Sequence, residues 1–135
     1  MSDKVLIDTN IFIYALDADS VHHAASLRFL QEAEALLFTT SKNLSEYFAV
    51  CTKLNLERDK VLGFYDAIKR NTVLLFPDAQ SLRLFEELFE RYYPRGNRVH
   101  DLEIVSIMLA NGLKKIATVN KDDFKNIVEV EIVDL

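Results

Sequence analysis

The sequence predicts an α/β domain with a mostly parallel central sheet and helices on both faces. Three observations carry that expectation. Short apolar runs rich in strand formers alternate with longer helical segments from one end to the other, the pattern of strand–helix–strand crossovers. The chain has 135 residues, 50% of them hydrophobic and 27% charged, enough to bury a core in one domain spanning 1–135. It holds only three glycines and two prolines, so long linkers, repeats and low-complexity tracts are not expected.

The elements follow in order. "KVLID" reads as the first strand and "TNIFIYALDAD" as a short helix or turn. "SVHHAASLRFLQEAEA" reads as a helix with Ala25, Leu27 and Leu30 on its apolar side. "LLFTT" is a second strand, and "SKNLSEYFAVCTKL" and "ERDKVLGFYDAIKR" are two further helices. "TVLLF" is a third strand, followed by the amphipathic "DAQSLRLFEELFERYY" with Asp78 as its N-cap. "VHDLEIVSIMLAN" is a helix, and Gly112 after it suits the left-handed position that ends one. "KKIATV" and "VEVEIVDL" carry the last two strands.

Bulk properties narrow the class. The single cysteine, Cys51, lies in the apolar run "YFAVCTKL" and reads as a small buried hydrophobe. "MSDK" is too polar to open a signal peptide, and no apolar run is long enough to span a bilayer. A cytoplasmic protein without membrane attachment is the expectation. The net charge of −5 argues against a broad nucleic-acid-binding surface. It does not argue against a small site at which cations are held by acids.

Asp8 interrupts an otherwise apolar stretch, "KVLIDTNIFIYAL". Burying a charge without a partner costs several kcal/mol, so it needs a use. In open parallel sheets, ligands bind at the carboxyl ends of strands, near a switch in strand order, and Asp8 closes the first strand. Glu46 shares a helical face with Ala49, Val50 and Leu54, and Asp101 shares one with Ile104, Val105 and Met108. Both acids therefore sit in line with apolar side chains. A fourth acidic group, "TVNKDDF" with Asn120, Asp122 and Asp123, follows the fourth strand.

Carboxylates about 5 Å apart repel by roughly 1 kcal/mol at the dielectric of water and about 3 at an effective value of 20. Several such pairs take a visible share of a stability of roughly 5–15 kcal/mol. Protons or cations must offset them. A site of oxygen donors without histidine or thiolate suits Mg²⁺ or Mn²⁺, and phosphodiester hydrolysis is the natural reaction of such a site.

"LIDTNIFIYAL", "LSEYFAV", "HDLEIVSIMLANGLKKIAT" and "TVNKDDF" stand in an order that resembles the PIN-domain nucleases, in particular the small stand-alone VapC-like toxins of toxin–antitoxin pairs. The resemblance spans nearly the whole chain. It implies a three-layer α/β/α fold and a Mg²⁺- or Mn²⁺-dependent endoribonuclease that leaves a 5′-phosphate and a 3′-hydroxyl. It implies a homodimer and a cognate antitoxin that blocks the site. Asp8, Glu46 and Asp101 match the family's first three acids. The fourth falls in "TVNKDDF", where Asn120 and Asp123 match the family's pattern and Asp122 stands beside them as an additional acid, leaving open which of the two aspartates serves the metal, with Asp122 otherwise a supporting residue. On this reading Asp8, Asp101 and Asp123 hold the metal, directly or through bound water, and Glu46 orients or deprotonates the attacking water or joins the metal's ligands. Thr9 and Asn120 hydrogen-bond the ligands.

Plainer uses exist for the same residues. Asp8 can cap the helix that follows, Asp101 can favour a helix N-terminus, and Asn120 with Asp123 can close a short helix. The segment "RYYPRGNR" carries Arg91, Arg95 and Arg98 beside Tyr92 and Tyr93. It is expected either to stack bases and hold phosphates or to form an ordinary charged loop. His100 adjoins Asp101. Rival functions fit less well. A haloacid-dehalogenase-type phosphotransferase needs a second aspartate where Asn10 stands. A receiver domain needs paired acids at the first strand. Nucleotide-binding folds need a glycine-rich loop. A non-catalytic PIN-like RNA-binding or scaffold protein is the alternative from another class, and the intact acids speak against it.

Overall fold

A computed structural model describes residues 3–135. Its sheet is parallel throughout, in the order β3-β2-β1-β4-β5. The strands are β1 (Lys4–Ile7), β2 (Leu36–Thr40), β3 (Val73–Leu75), β4 (Lys115–Ala117) and β5 (Glu131–Val133). The chain runs outward from β1 through β2 to β3, then returns to lay β4 on the other side of β1. The switch in strand order therefore falls between β1 and β4, and their carboxyl ends frame the crevice where such folds bind ligands.

β1 is central, and Val5, Leu6 and Ile7 are all buried. Alternate side chains enter opposite faces of a sheet. Leu6 accordingly joins Phe38, Leu88, Leu102, Val105, Met108, Ile116 and Phe124 in one core. Val5 and Ile7 join Phe12, Leu37, Leu44, Tyr47, Ile68 and Ala117 in the other. The first core lies under α5 (Ala79–Tyr92) and α6 (Arg98–Ala110). The second lies under α1 (Thr9–Leu16), α3 (Ser41–Lys53) and α4 (Arg58–Asn71), with Phe29 and Leu30 of α2 (His23–Glu32) packed against it. The three-layer α/β/α arrangement follows. Among the described residues no helix is long and apolar enough to cross a membrane.

Local chemistry sets the helix ends. The Asp78 side chain accepts from the Ser81 N–H at 2.8 Å, and the Ser81 hydroxyl accepts from the Asp78 N–H in return, closing the first turn of α5. Thr40 and Asn43 do the same for α3. Gly112 has φ +75° just beyond α6, a conformation glycine adopts without steric cost. Cys51 is fully buried.

Two expected faces differ. On α2 the buried residue is Ser26, with Leu27, Phe29 and Leu30 half-buried, and Ala25 points to solvent. On α3 the buried face is Asn43, Leu44, Tyr47 and Cys51. Ala49 and Leu54, expected to share an apolar stripe with Glu46, are exposed, and Val50 is only half-buried. The core-facing row lies one position C-terminal to the stripe through Glu46, which places that acid on the rim of the helix rather than on its buried side. The matching argument for Asp101 holds, because Ile104, Val105 and Met108 are all buried.

Candidate active site

Asp8 follows β1 directly. Its N–H donates to the Ala117 carbonyl at 3.0 Å, which continues the β1–β4 ladder by one residue. The chain then turns into α1, and Asp8 caps it through a bond from the Thr9 N–H to Oδ1 at 2.9 Å. Capping is thus one of its uses. The second oxygen, Oδ2, accepts from the Thr118 hydroxyl at 2.8 Å and from Asn10 Nδ2 at 3.2 Å. Asn43 Nδ2 approaches Oδ1 at 3.5 Å. Asp8 is nearly buried. Burial raises its pKa most, and the Thr118 and Thr9 hydrogen bonds pull it down in part.

The residues around Asp8 form one polar network. Asn10 Nδ2 also reaches the Thr118 hydroxyl at 3.1 Å, and Asn10 Oδ1 accepts from the Val119 N–H at 3.2 Å. The Asn120 N–H donates to Thr118 Oγ1 at 3.1 Å. Thr9 Oγ1 is bound to Asn43, accepting from its amide at 3.0 Å. Sequence reasoning named Thr9, Asn120 and Asp122 as the supporting residues and passed over Asn10, Asn43 and Thr118. The Asn120 side chain is exposed, caps nothing and makes no hydrogen bond among the described residues. Its main chain alone enters the network. The missed signals were legible: Asn43 stands third in a capping sequence after Thr40, and Thr118 extends the strand that pairs Ile7 with Ala117.

The other acids line a cleft of about 580 Å³ with Arg95, Arg98 and His100. Glu46 enters from α3, Asp101 from the first turn of α6, and Asp123 from the 3-10 turn Lys121–Asp123 after β4. The carboxylates repel one another across it. Asp101 is pushed up to about 7 by burial, then by Asp123, Asp8 and Glu46, with Arg98 pulling the other way. Burial and Asp8 raise Glu46, while His100 lowers it. Four acids from four segments therefore share one electrostatic environment.

The remaining named residues divide. Asp123 faces the cleft, and Arg98 stands 4.0 Å from its Oδ1. Asp122 is exposed and pairs with Lys125 at 3.2 Å. Arg91, expected with Arg95 and Arg98 as a substrate contact, is turned away from the cleft and bound to Glu129. Tyr92 donates to the same carboxylate at 2.6 Å, which fixes Glu129 as the partner of Arg91.

The four acids suit a hard divalent cation: they offer oxygen ligands only, and burial and neighbouring carboxylates raise Asp8, Glu46 and Asp101, a cost that a cation would relieve. Among the described residues no three of these side chains already stand close enough to hold an ion, so the acids surround the cleft without forming a finished cage. Both Asp8 oxygens already accept hydrogen bonds, so an ion reaches Asp8 through a remaining lone pair or through water.

Comparisons with known proteins agree with this fold. Among curated sequences nothing matches at a significant level. Solved structures match over nearly the whole chain. VapBC2 from Rickettsia felis, bound to a promoter DNA fragment, superposes with a TM-score of 0.74 at 20% identity, covering 98% of each chain. Mycobacterium tuberculosis VapC20, a sarcin–ricin loop cleaving toxin, gives a TM-score of 0.74 at 16% identity over 94% of this chain and 98% of that one. DNA-bound VapBC from Salmonella typhimurium gives 0.71 at 23% identity over 98% of each. At these identities the likeness is one of fold. The family model described as PIN domain matches residues 5–130, so the chain belongs to the PIN domain family.

Proposed function

We propose that the protein is a divalent-metal-dependent endoribonuclease, a single PIN nuclease domain over residues 1–135 and the toxin of a toxin–antitoxin pair. One observation carries the catalytic part: Glu46, Asp101 and Asp123 come from separate segments to line one cleft, and beyond the effect of burial Asp8, Glu46 and Asp123 all push Asp101 upward, Asp8 pushes Glu46 upward and Asp123 pushes Asp8 upward. A structural role for each acid taken singly does not explain why they meet. Family membership supports the reaction class. The VapBC complexes among the structural neighbours and the RNA-loop-cleaving toxin support an antitoxin partner and an RNA substrate. A homodimer and a cytoplasmic location belong to the same reading.

Asp101 and Asp123 would hold Mg²⁺ or Mn²⁺, with Asp8 joining directly or through water. An ion held there would supply Lewis-acid polarisation of the phosphoryl group and would acidify an attacking water. Glu46, on the exposed wall, accepts the proton of that water; burial and Asp8 raise its pKa, which strengthens it as a base. Arg95 and Arg98 meet the substrate phosphate and offset the charge that gathers on it. The water oxygen bonds to phosphorus, the bond to O3′ breaks, and the leaving O3′ takes a proton from solvent, giving a 5′-phosphate and a 3′-hydroxyl. Thr118 and Asn10 hold Asp8 in one orientation throughout.

The test is cleavage of RNA by the wild-type chain and by Asp8→Asn, each with Mg²⁺, Mn²⁺ or EDTA. Asp8→Asn is isosteric and keeps the cap and part of the network. A loss of 100-fold or more, with cleavage abolished by EDTA, is expected. Equal cleavage by both proteins would remove the reaction from this site.

A further inference from the structure

A second hollow, of about 350 Å³, adjoins the acidic cleft and shares Arg95, Arg98 and Asp123 with it. Its other wall includes Tyr93, Pro94 and Asn126. We propose that this hollow receives one unpaired nucleobase of the substrate strand, stacked on Tyr93 with the Asn126 amide at its edge. The proposal rests on the nuclease reading of the neighbouring cleft and adds to it a single-stranded substrate with a base splayed out beside the scissile phosphate.

Four features support it. Tyr93 is 72% exposed and lines the hollow, so its ring is open to a ligand there. It also holds a left-handed backbone, φ 42° and ψ 56°, at the end of α5. A bulky residue there stores strain of order 1 kcal/mol that glycine would avoid, so helix termination alone favours a different residue. One side of the ring is steadied by Phe89, with centroids 5.1 Å apart at 50°, which leaves the other for a partner. Asn126 is exposed and makes no side-chain hydrogen bond among the described residues. Its amide presents a donor and an acceptor together, the pair a base edge needs.

The charges run the right way. Asp122 on this wall is answered by Lys125 at 3.2 Å. Arg95 and Arg98 stand at the boundary between the two cavities, where the phosphate joining a bound base to the scissile position would pass. The volume lies within the range of small-ligand sites, roughly 300–1,000 Å³. Recognition of RNA by unstacked bases on aromatic side chains is the usual route to single-strand preference.

The experiment measures binding of fluorescent single-stranded RNA hexamers to the full chain carrying Asp8→Asn, with Mg²⁺, by anisotropy. Tyr93→Ala should weaken binding about tenfold, the scale of one lost stacked base, and Tyr93→Phe should stay within twofold. One abasic position, scanned along the RNA, should weaken binding to the Tyr93 protein and add little to the Tyr93→Ala defect. On the wild-type background Tyr93→Ala should raise KM and leave kcat within about threefold, the signature of lost uniform binding. Asn126→Ala should change which base is preferred more than the total rate. If Tyr93→Ala binds and cleaves like wild type while Asp8→Asn abolishes cleavage, the base site is refuted and the nuclease reading stands. If the abasic penalty is the same with and without Tyr93, the base site is likewise refuted. If the wild-type chain neither binds nor cleaves RNA, both fall.

Discussion

Thr118→Val probes the polar network with almost no change in shape. The Thr118 hydroxyl is fully buried, donates to Asp8 Oδ2 at 2.8 Å, and accepts from Asn10 Nδ2 and the Asn120 N–H, each at 3.1 Å. Valine keeps the volume and removes all three bonds. A hydrogen bond to a charged group contributes about 1.5–3 kcal/mol, and stranding a buried donor adds to the loss. Asn10 retains Asp8 as a partner, so the expected destabilisation is about 2–3 kcal/mol at neutral pH. For a chain of this size that lowers Tm by roughly 6–12 °C. The defect should shrink in acid. Losing the donor raises the pKa of Asp8 further, so the penalty falls on the ionised form and fades as Asp8 takes up its proton. Thr118→Ser restores the hydroxyl and should cost only about 1 kcal/mol for the buried methyl. Thermal unfolding followed by circular dichroism at pH 7.5 and pH 5 reads all of this, and a metal titration of RNA cleavage should show a 10- to 100-fold higher requirement in the valine variant. A valine variant as stable as wild type, or a serine variant as damaged as valine, would refute the claim that this hydroxyl holds Asp8 in place.

Other outcomes follow from the same geometry. Asp101 has its pKa pushed up to about 7, above the ordinary carboxylate value of about 4, so the folded state holds a proton that the unfolded chain releases. Stability without metal is therefore lost as pH rises through that window. After allowance for its partial exposure, about 1 kcal/mol and roughly 3 °C of Tm should separate pH 5.5 from pH 8 in EDTA. Asp101→Asn should flatten the slope, and a Tm that rises over that interval would contradict the assignment. Arg91→Ala should leave cleavage within twofold, because Arg91 is tied to Glu129 outside the cleft, whereas Arg98→Ala should weaken RNA binding several-fold. Gly112→Ala should cost about 1 kcal/mol, since φ is +75° while nothing crowds the added Cβ; unchanged unfolding would show that the turn relaxes freely.

Strand and helix order could be read from the sequence because each element has its own local cause. The continuous apolar run of β1 reflects a strand covered on both faces, and the Asp78 and Gly112 signals act within a turn of their helices. The acids Asp8 and Asp101 stood out because each sits in line with residues that are buried. The same logic failed at Glu46. Its stripe of Ala49, Val50 and Leu54 is apolar in composition but faces outward, and apolar content cannot say which of two adjacent helical rows meets the sheet.

What the linear order of residues determined, then, was the elements and the family, set by short-range periodicity and by motifs a few residues long, and it singled out the four acids as candidates. What only the folded chain decided was the company those acids keep. Thr118 meets Asp8 across 110 positions of sequence, Asn43 meets Thr9 across 34, and Arg91 is drawn away from the cleft by Glu129, 38 residues on. Such contacts depend on how parallel strands order themselves around β1. That order is chosen by the burial of two whole cores, a sum over many side chains that no short stretch of sequence contains.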